Sequence, residues 1–131
     1  MFRKFALMAV FLTAFGLLVS ANQVAGQTRA RVRFARGASS ATLRGRIVGY
    51  KYVDYIIGAR SGQTIKLKLQ TTGSAEIVLF TPSDENVDGA NGLEYTGEIE
   101  STGDYKIRIL QPRAFARRNN ASNYTLRISI E

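Results

Sequence analysis

Past residue 27 the chain alternates between apolar and polar positions almost without a break. In "TIKLKLQ", Ile65, Leu67 and Leu69 fall on one side and Lys66, Lys68 and Gln70 on the other. "DYKIRILQ" sends Tyr105, Ile107 and Ile109 one way and Lys106 and Arg108 the opposite way, and "NYTLRISIE" repeats the device with Tyr124, Leu126, Ile128 and Ile130. "ARVRF", "ATLRGRIVG", "YKYVDYIIGA" and the weaker "EYTGEIE" alternate less cleanly, while "AEIVLF" is continuously apolar after Glu76 and reads as a buried strand. A period of two places one face of each strand in a core and the other in water. No segment carries a 3.6-residue apolar stripe. Turn dipeptides such as Arg36-Gly37, Ser61-Gly62, Thr72-Gly73, Asn91-Gly92 and Thr102-Gly103 separate the runs. The pattern predicts an all-β fold: an antiparallel β-sandwich of about eight strands, jelly-roll-like.

The N-terminus departs from this pattern. Met1-Phe2-Arg3-Lys4 is basic, Phe5 to Val19 is apolar except for Thr13, and Val19-Ser20-Ala21 offers a small-residue cleavage site, with Val24-Ala25-Gly26 as a later one. These are the parts of a secretory signal peptide. The expected organisation is a signal peptide over 1–21, with cleavage as late as 26, and a single domain over 27–131. That domain is expected to be periplasmic or secreted, with no stable membrane insertion. Losing Arg3 and Lys4 takes the formal charge from +8 to +6. There is no cysteine and no histidine, so packing rather than disulfides must hold the domain, and the usual zinc ligand and neutral-pH proton carrier are both missing.

These absences leave little to build catalysis on. No Ser-His, Cys-His or metal-histidine set exists, and the carboxylate pair Glu98 and Glu100 reads as strand surface. No enzyme activity and no cofactor are expected. "DENVDG" sets Asp84, Asn86, Asp88 and Gly89 at calcium-loop spacing, but the closing acid position holds Tyr95. It is a weak calcium candidate beside the plainer reading of an acidic turn. Arg29, Arg31, Arg33, Arg36, Arg44, Arg46 and Lys51 form a run without an acid. Alternation places such charges on a wet face, where anionic envelope material suits an exported protein better than nucleic acid does. "YVDYII" fits a core strand or an exposed edge that pairs between chains, so a homo-oligomer is left open.

The segment "STGDYKIRILQPRAFARRNN" stands apart. It follows the turn Thr102-Gly103-Asp104-Tyr105 with a strand and then a polar loop bearing Arg113, Arg117 and Arg118. Arginine and tyrosine concentrate binding energy at interfaces, and guanidinium groups grip carboxylates.

Here the chain resembles the periplasmic inhibitors of g-type (goose-type) lysozyme. The likeness runs through "VRFARGASSATLRGRIVGYKYVDYIIGARSGQ" and "STGDYKIRILQPRAFARRNNASNYTLRISIE" and is weaker from Thr71 to Glu100. A second likeness, to bacterial pre-peptidase C-terminal domains, concerns the fold. The resemblance implies a β-sandwich that binds a lysozyme and blocks its cleft. It implies contacts from Tyr50, Thr102, Gly103, Tyr105, Arg113 and Arg117, with Arg118 as a further basic position. Thr102 stands where the family motif has serine, which keeps the hydroxyl. The implied mechanism is a plug: the Thr102–Tyr105 turn enters the sugar groove while Arg113 and Arg117 meet the enzyme's carboxylates. The alternative is a non-catalytic envelope sandwich that binds anionic glycan or peptidoglycan.

Overall fold

The computed structural model describes residues 27–131. The expected signal peptide and its cleavage sites lie outside the described residues. Nine strands are present: β1 Gln27–Arg31, β2 Ser40–Val48, β3 Tyr52–Ala59, β4 Thr64–Thr71, β5 Glu76–Phe80, β6 Asn86–Gly92, β7 Glu94–Glu98, β8 Gly103–Leu110 and β9 Ala121–Ile130. A single helical turn, α1 Arg113–Ala116, precedes β9.

The strands form two sheets, β1-β3-β8-β5-β6 and β2-β9-β4-β7. The chain crosses between sheets at nearly every connection after β2. The orders 3-8-5-6 and 2-9-4-7 are those of a jelly roll wound from β2 to β9. The expected all-antiparallel sandwich is modified at one edge, where β1 pairs β3 in parallel, Gln27 opposite Tyr52 through Arg31 opposite Ile56. β1 is too early in the chain to belong to the winding and adds to the free edge of β3. β3 is thereby an interior strand between β1 and β8, which removes "YVDYII" as an exposed pairing edge.

The ninth strand is β6, in the segment expected to be a turn. Only Thr81 to Glu85 turns, closed by Thr81 N–H donating to Glu85 O at 2.8 Å, with Asp84 at φ +67°. Asn86 to Gly92 then pairs with β5 across a bulge between Val78 and Phe80. The calcium reading of Asp84, Asn86 and Asp88 assumes a loop where the structure has a strand from Asn86. An extended strand cannot wrap its side chains around one cation. The Asp84 carboxylate accepts a hydrogen bond from Lys106, and among the described residues no three Asp, Glu, His or Cys side chains gather.

The core lies between the sheets. Ile57, Ile77, Leu79, Ile107 and Ile109 from one sheet meet Ile65, Leu67, Leu126 and Ile128 from the other, all nearly sealed from water. Each such side chain contributes about 1.5–3 kcal/mol by burial. Tyr55 and Tyr124 bond hydroxyl to hydroxyl across the core at 2.7 Å. Burial pushes both phenols above their ordinary range. Gly45 faces the ring of Tyr124 so closely that a side chain there would displace it.

The outer face of the β1-β3-β8-β5-β6 sheet is a ladder of paired charges. Arg108 bonds both oxygens of Asp54, at 2.8 and 3.0 Å, and its guanidinium lies 4.0 Å from the centre of the Tyr52 ring. Arg31 bonds both oxygens of Asp104, and Lys106 bonds Asp84. Hydrogen bonds from Arg31 and Lys106 hold the Asp104 and Asp84 carboxyls below their ordinary value of 3.8. A carboxyl lowered in the folded state contributes stability above its unfolded pKa and loses it as pH falls through the folded one. Side-chain carboxyl titration by NMR should therefore give midpoints below 3.8 for both residues. The stability that these two pairs contribute should be lost only in acid, near and below that value.

Candidate functional site

The direction of β8 decides which candidate residues share a surface. Thr102 immediately precedes its first residue, and Arg113 follows shortly after its last. At about 3.3 Å per residue, β8 separates them by roughly 25 Å. The expected plug, built from the Thr102 turn and the arginine segment together, is therefore not one site: its two parts stand at opposite ends of the sandwich.

At the Thr102 end, the motif residues are committed to the turn itself. Tyr105 is 3% exposed and its hydroxyl donates to Ser101 O at 2.8 Å. Its place in the inward phase of β8 puts the ring in the core, so it cannot offer contact area. Thr102 Oγ1 accepts from Ser61 N–H at 3.0 Å. Gly103 lies against Pro82, where an added Cβ would come within 2.7 Å of Cγ. Thr102 and Gly103 are thus tied to neighbouring loops as parts of a tight corner.

The opposite end gathers Tyr50, Arg113, Arg117 and Arg118. The arginine segment is a helical turn rather than the expected loop. Pro112 starts it at φ −57°, an angle its ring fixes in advance. Alanines occupy two of its four helical positions, and Asn119 ends the turn in the left-handed region at φ +57°. Ala116 is buried and anchors it. Arg113 and Arg117 are four apart, so they stand on one exposed face. Tyr50 sits in the turn from Val48 to Lys51, closed by Lys51 N–H donating to Val48 O. Gly49 makes that turn possible. Its φ is +62°, and a Cβ there would meet Asn119 Oδ1 at 2.7 Å. Gly49 N–H donates to Asn120 O at 2.9 Å. The Tyr50 turn is thus stitched to the end of α1. Tyr52, two residues on, points away to lie beneath Arg108 on the paired face.

Beneath both elements lies Gln111, 4% exposed. Its Nε2 donates to Gly49 O at 3.2 Å and Asn120 O at 2.7 Å. Its Oε1 accepts from Ser122 Oγ at 2.7 Å and Ser74 Oγ at 2.9 Å. One amide thereby joins four chain segments at this end.

Three large hydrophobic side chains stand out as exposed among the described residues: Tyr50 at 64%, Leu93 at 49% and Phe115 at 42%. All three belong to this end. Leu93 follows the last residue of β6, whose neighbour β5 begins opposite Leu110. Leu93 and Phe115 flank a groove of about 530 Å³, also lined by Pro112, Ser74, Asn120 and Ala121. Concentrated exposed apolar surface ringed by polar groups marks an interaction site. Sequence reading missed Phe115, Leu93 and Gln111. The available signals were an aromatic within an arginine-rich segment and a polar residue that continues the inward phase of β8 one step past its end.

Chemically, the end presents guanidinium groups beside apolar and aromatic surface. It can grip carboxylates and bury a partner's apolar area.

No protein-family model matches the chain. The chain is 36% identical to the inhibitor of g-type lysozyme of Escherichia coli (strain K12), over 94% of each sequence. Its fold is similar to that of Aeromonas hydrophila PliG, a periplasmic lysozyme inhibitor of g-type lysozyme. There the TM-score is 0.73 at 33% identity, over 80% of this chain and 97% of that one. For Salmonella Typhimurium PliG, also a periplasmic inhibitor of g-type lysozyme, the TM-score is 0.67 at 32% identity, over 79% and 98%. With identity of this order across nearly its whole length, the chain belongs to the family of inhibitors of g-type lysozyme.

Proposed function

We propose that this protein inhibits a g-type lysozyme in the periplasm by covering the enzyme's cleft with the end of the sandwich that bears α1. Arg113 and Arg117 meet the cleft carboxylates. Tyr50 and Phe115 cover the surrounding wall, and Arg118 adds a peripheral contact. The Thr102–Tyr105 corner takes no part in this reading. One observation carries it: two arginines share a face of a single helical turn. Like charges at this spacing destabilise a helix by a few tenths of a kcal/mol, so the arrangement costs stability until an anion lies between them.

The inhibition follows from charge and exclusion. Glycoside hydrolysis requires a protonated carboxyl to donate to the leaving oxygen. A guanidinium against that carboxyl favours its ionised form, which has no proton to give. The aromatic side chains meanwhile occupy the space that sugar rings would fill.

The test is a turbidity assay of cell-wall lysis with g-, c- and i-type lysozymes and the purified mature protein. Lysis by the g-type enzyme should stop near stoichiometric inhibitor. Undiminished lysis by g-type enzymes would overturn the reading. With a cationic lysozyme, the association rate should rise with salt, because screening relieves repulsion between two positively charged proteins over about 8 Å at physiological ionic strength.

A further inference from the structure

We propose that the outer face of the β2-β9-β4-β7 sheet is a second binding surface, for an acidic polysaccharide, separate from the end that bears α1. Alternation turns Arg44 and Arg46 of β2, Arg127 of β9, and Lys66 and Lys68 of β4 outward together, while β7 at the edge turns Glu94 and Glu98 the same way, so the basic field lies over β2, β9 and β4. The register brings them close: Arg127 is directly opposite Lys68, and Lys66 lies opposite Ser129, two residues along β9. Arg44 is opposite Thr125, two residues the other way. Strands about 4.8 Å apart, with side chains repeating every two residues, make this a compact basic field.

The contrast with the other sheet is the main observation. There, Arg31, Lys106 and Arg108 each have a carboxylate partner on the same face. Here, among the described residues, Arg44, Arg46, Lys66 and Arg127 form no ion pair. Lys68 has only a loose one, 3.9 Å from Glu94 at the sheet edge. Two hollows mark the same face. One, of about 480 Å³, is lined by Arg44, Gln70, Asn123 and Thr125. The other, of about 270 Å³, is lined by Lys66, Lys68, Arg127, Thr96 and Ser129, with Glu94 at its β7 side. Both lie along the β4-β9 pair, so they succeed one another along the strands.

The chemistry selects the occupant. Hydroxyl and amide side chains lie between the cations and suit sugar hydroxyls, while the cations suit carboxylate, phosphate or sulfate substituents. The hollows hold no aromatic ring for stacking nucleic-acid bases, apart from the edge of inward-facing Tyr124. They offer no cluster of apolar side chains to enter a bilayer, which firm membrane attachment adds to a basic patch. Binding should therefore be electrostatic and should weaken with salt.

Isothermal titration at low salt with heparin and with polygalacturonate as probes tests this, with neutral dextran and vesicles of phosphatidylglycerol and phosphatidylcholine as the other arms. The wild-type protein should bind both acidic polysaccharides and not dextran. The variant Arg44→Glu/Lys68→Glu/Arg127→Glu should bind about tenfold more weakly or worse, given the contribution of each cation near an anionic surface. A control with the same change in net charge, Arg33→Glu/Arg36→Glu/Arg60→Glu, should retain most of the binding. A neutral variant, Lys66→Gln/Lys68→Gln/Arg127→Gln, should give an intermediate loss and guards against misfolding caused by charge reversal. Equal losses in the face and control variants would reduce the effect to net charge and overturn the proposal. Binding to anionic vesicles without binding to polysaccharide would overturn it as well. Lysozyme inhibition should not weaken in the face variant, and any gain in association rate should be matched by the control of equal charge, so the two surfaces can fail independently.

Discussion

Arg117→Ala is expected to weaken inhibition of a g-type lysozyme by roughly 30- to 700-fold, the equivalent of about 2–4 kcal/mol for a desolvated charged contact. Arg113→Ala should act in the same direction, and the double variant should lose more than either. The folded protein should not suffer. Both side chains are exposed and neither forms an ion pair among the described residues. Exposed substitutions of this kind stay within about 0.5 kcal/mol of stability. Removing one of two like charges four residues apart should, if anything, stabilise the turn slightly. The signature is thus a large fall in inhibition with a melting temperature that is flat or slightly raised. Inhibition constants and melting curves on the same preparations check it, and unchanged inhibition in the double variant would remove α1 from the interface.

Gln111→Leu should produce the opposite signature, a loss in both quantities. Leucine is similar in size but can neither donate to Gly49 O and Asn120 O nor accept from Ser122 Oγ and Ser74 Oγ. Ser122 is fully buried, so its hydroxyl cannot turn to water. Leaving a buried polar group without a partner costs about 1–3 kcal/mol. With several groups affected, a total of about 2–4 kcal/mol is expected, or roughly 10–20 °C in melting temperature for a domain of this size. Because the same amide joins the Tyr50 turn to the residues after α1, inhibition should weaken even well below the melting temperature. A variant that melts early but inhibits normally in the cold would show that Gln111 supports the fold without positioning the contact residues.

The sandwich was legible in the sequence because alternation reports burial directly. β4, β8 and β9 read correctly because every inward position in "TIKLKLQ" and "DYKIRIL", and most in β9, is a large apolar residue. β6 was hidden because "NVDGANG" is rich in turn-forming residues, and its pairing with β5 comes from tertiary context rather than local preference. The parallel β1 was illegible for a related reason: no local signal distinguishes a strand that joins an edge from one that joins the winding. Among site residues, the arginines were visible by type. Tyr105 misled because tyrosine's two natures, apolar ring and polar tip, serve a buried clamp as well as an exposed anchor. Its inward parity with Ile107 and Ile109 was the clue to weigh above the motif. The same parity extends to Gln111, where a polar side chain in an inward position marks a junction rather than a surface. The separation of Thr102 from Arg113 followed from the single straight strand between them.

The placement of β9 has a consequence for biosynthesis. β9 is not at an edge of its sheet but between β2 and β4, and it supplies Tyr124, Leu126 and Ile128 to the interior. Until it has emerged, β2 has no neighbour in its sheet and nearly half of the sandwich cannot assemble. Pairings this distant in sequence also form slowly. A nascent chain of this design therefore keeps the inward faces of β2 and β4 open to chaperones and proteases until β9 has been made.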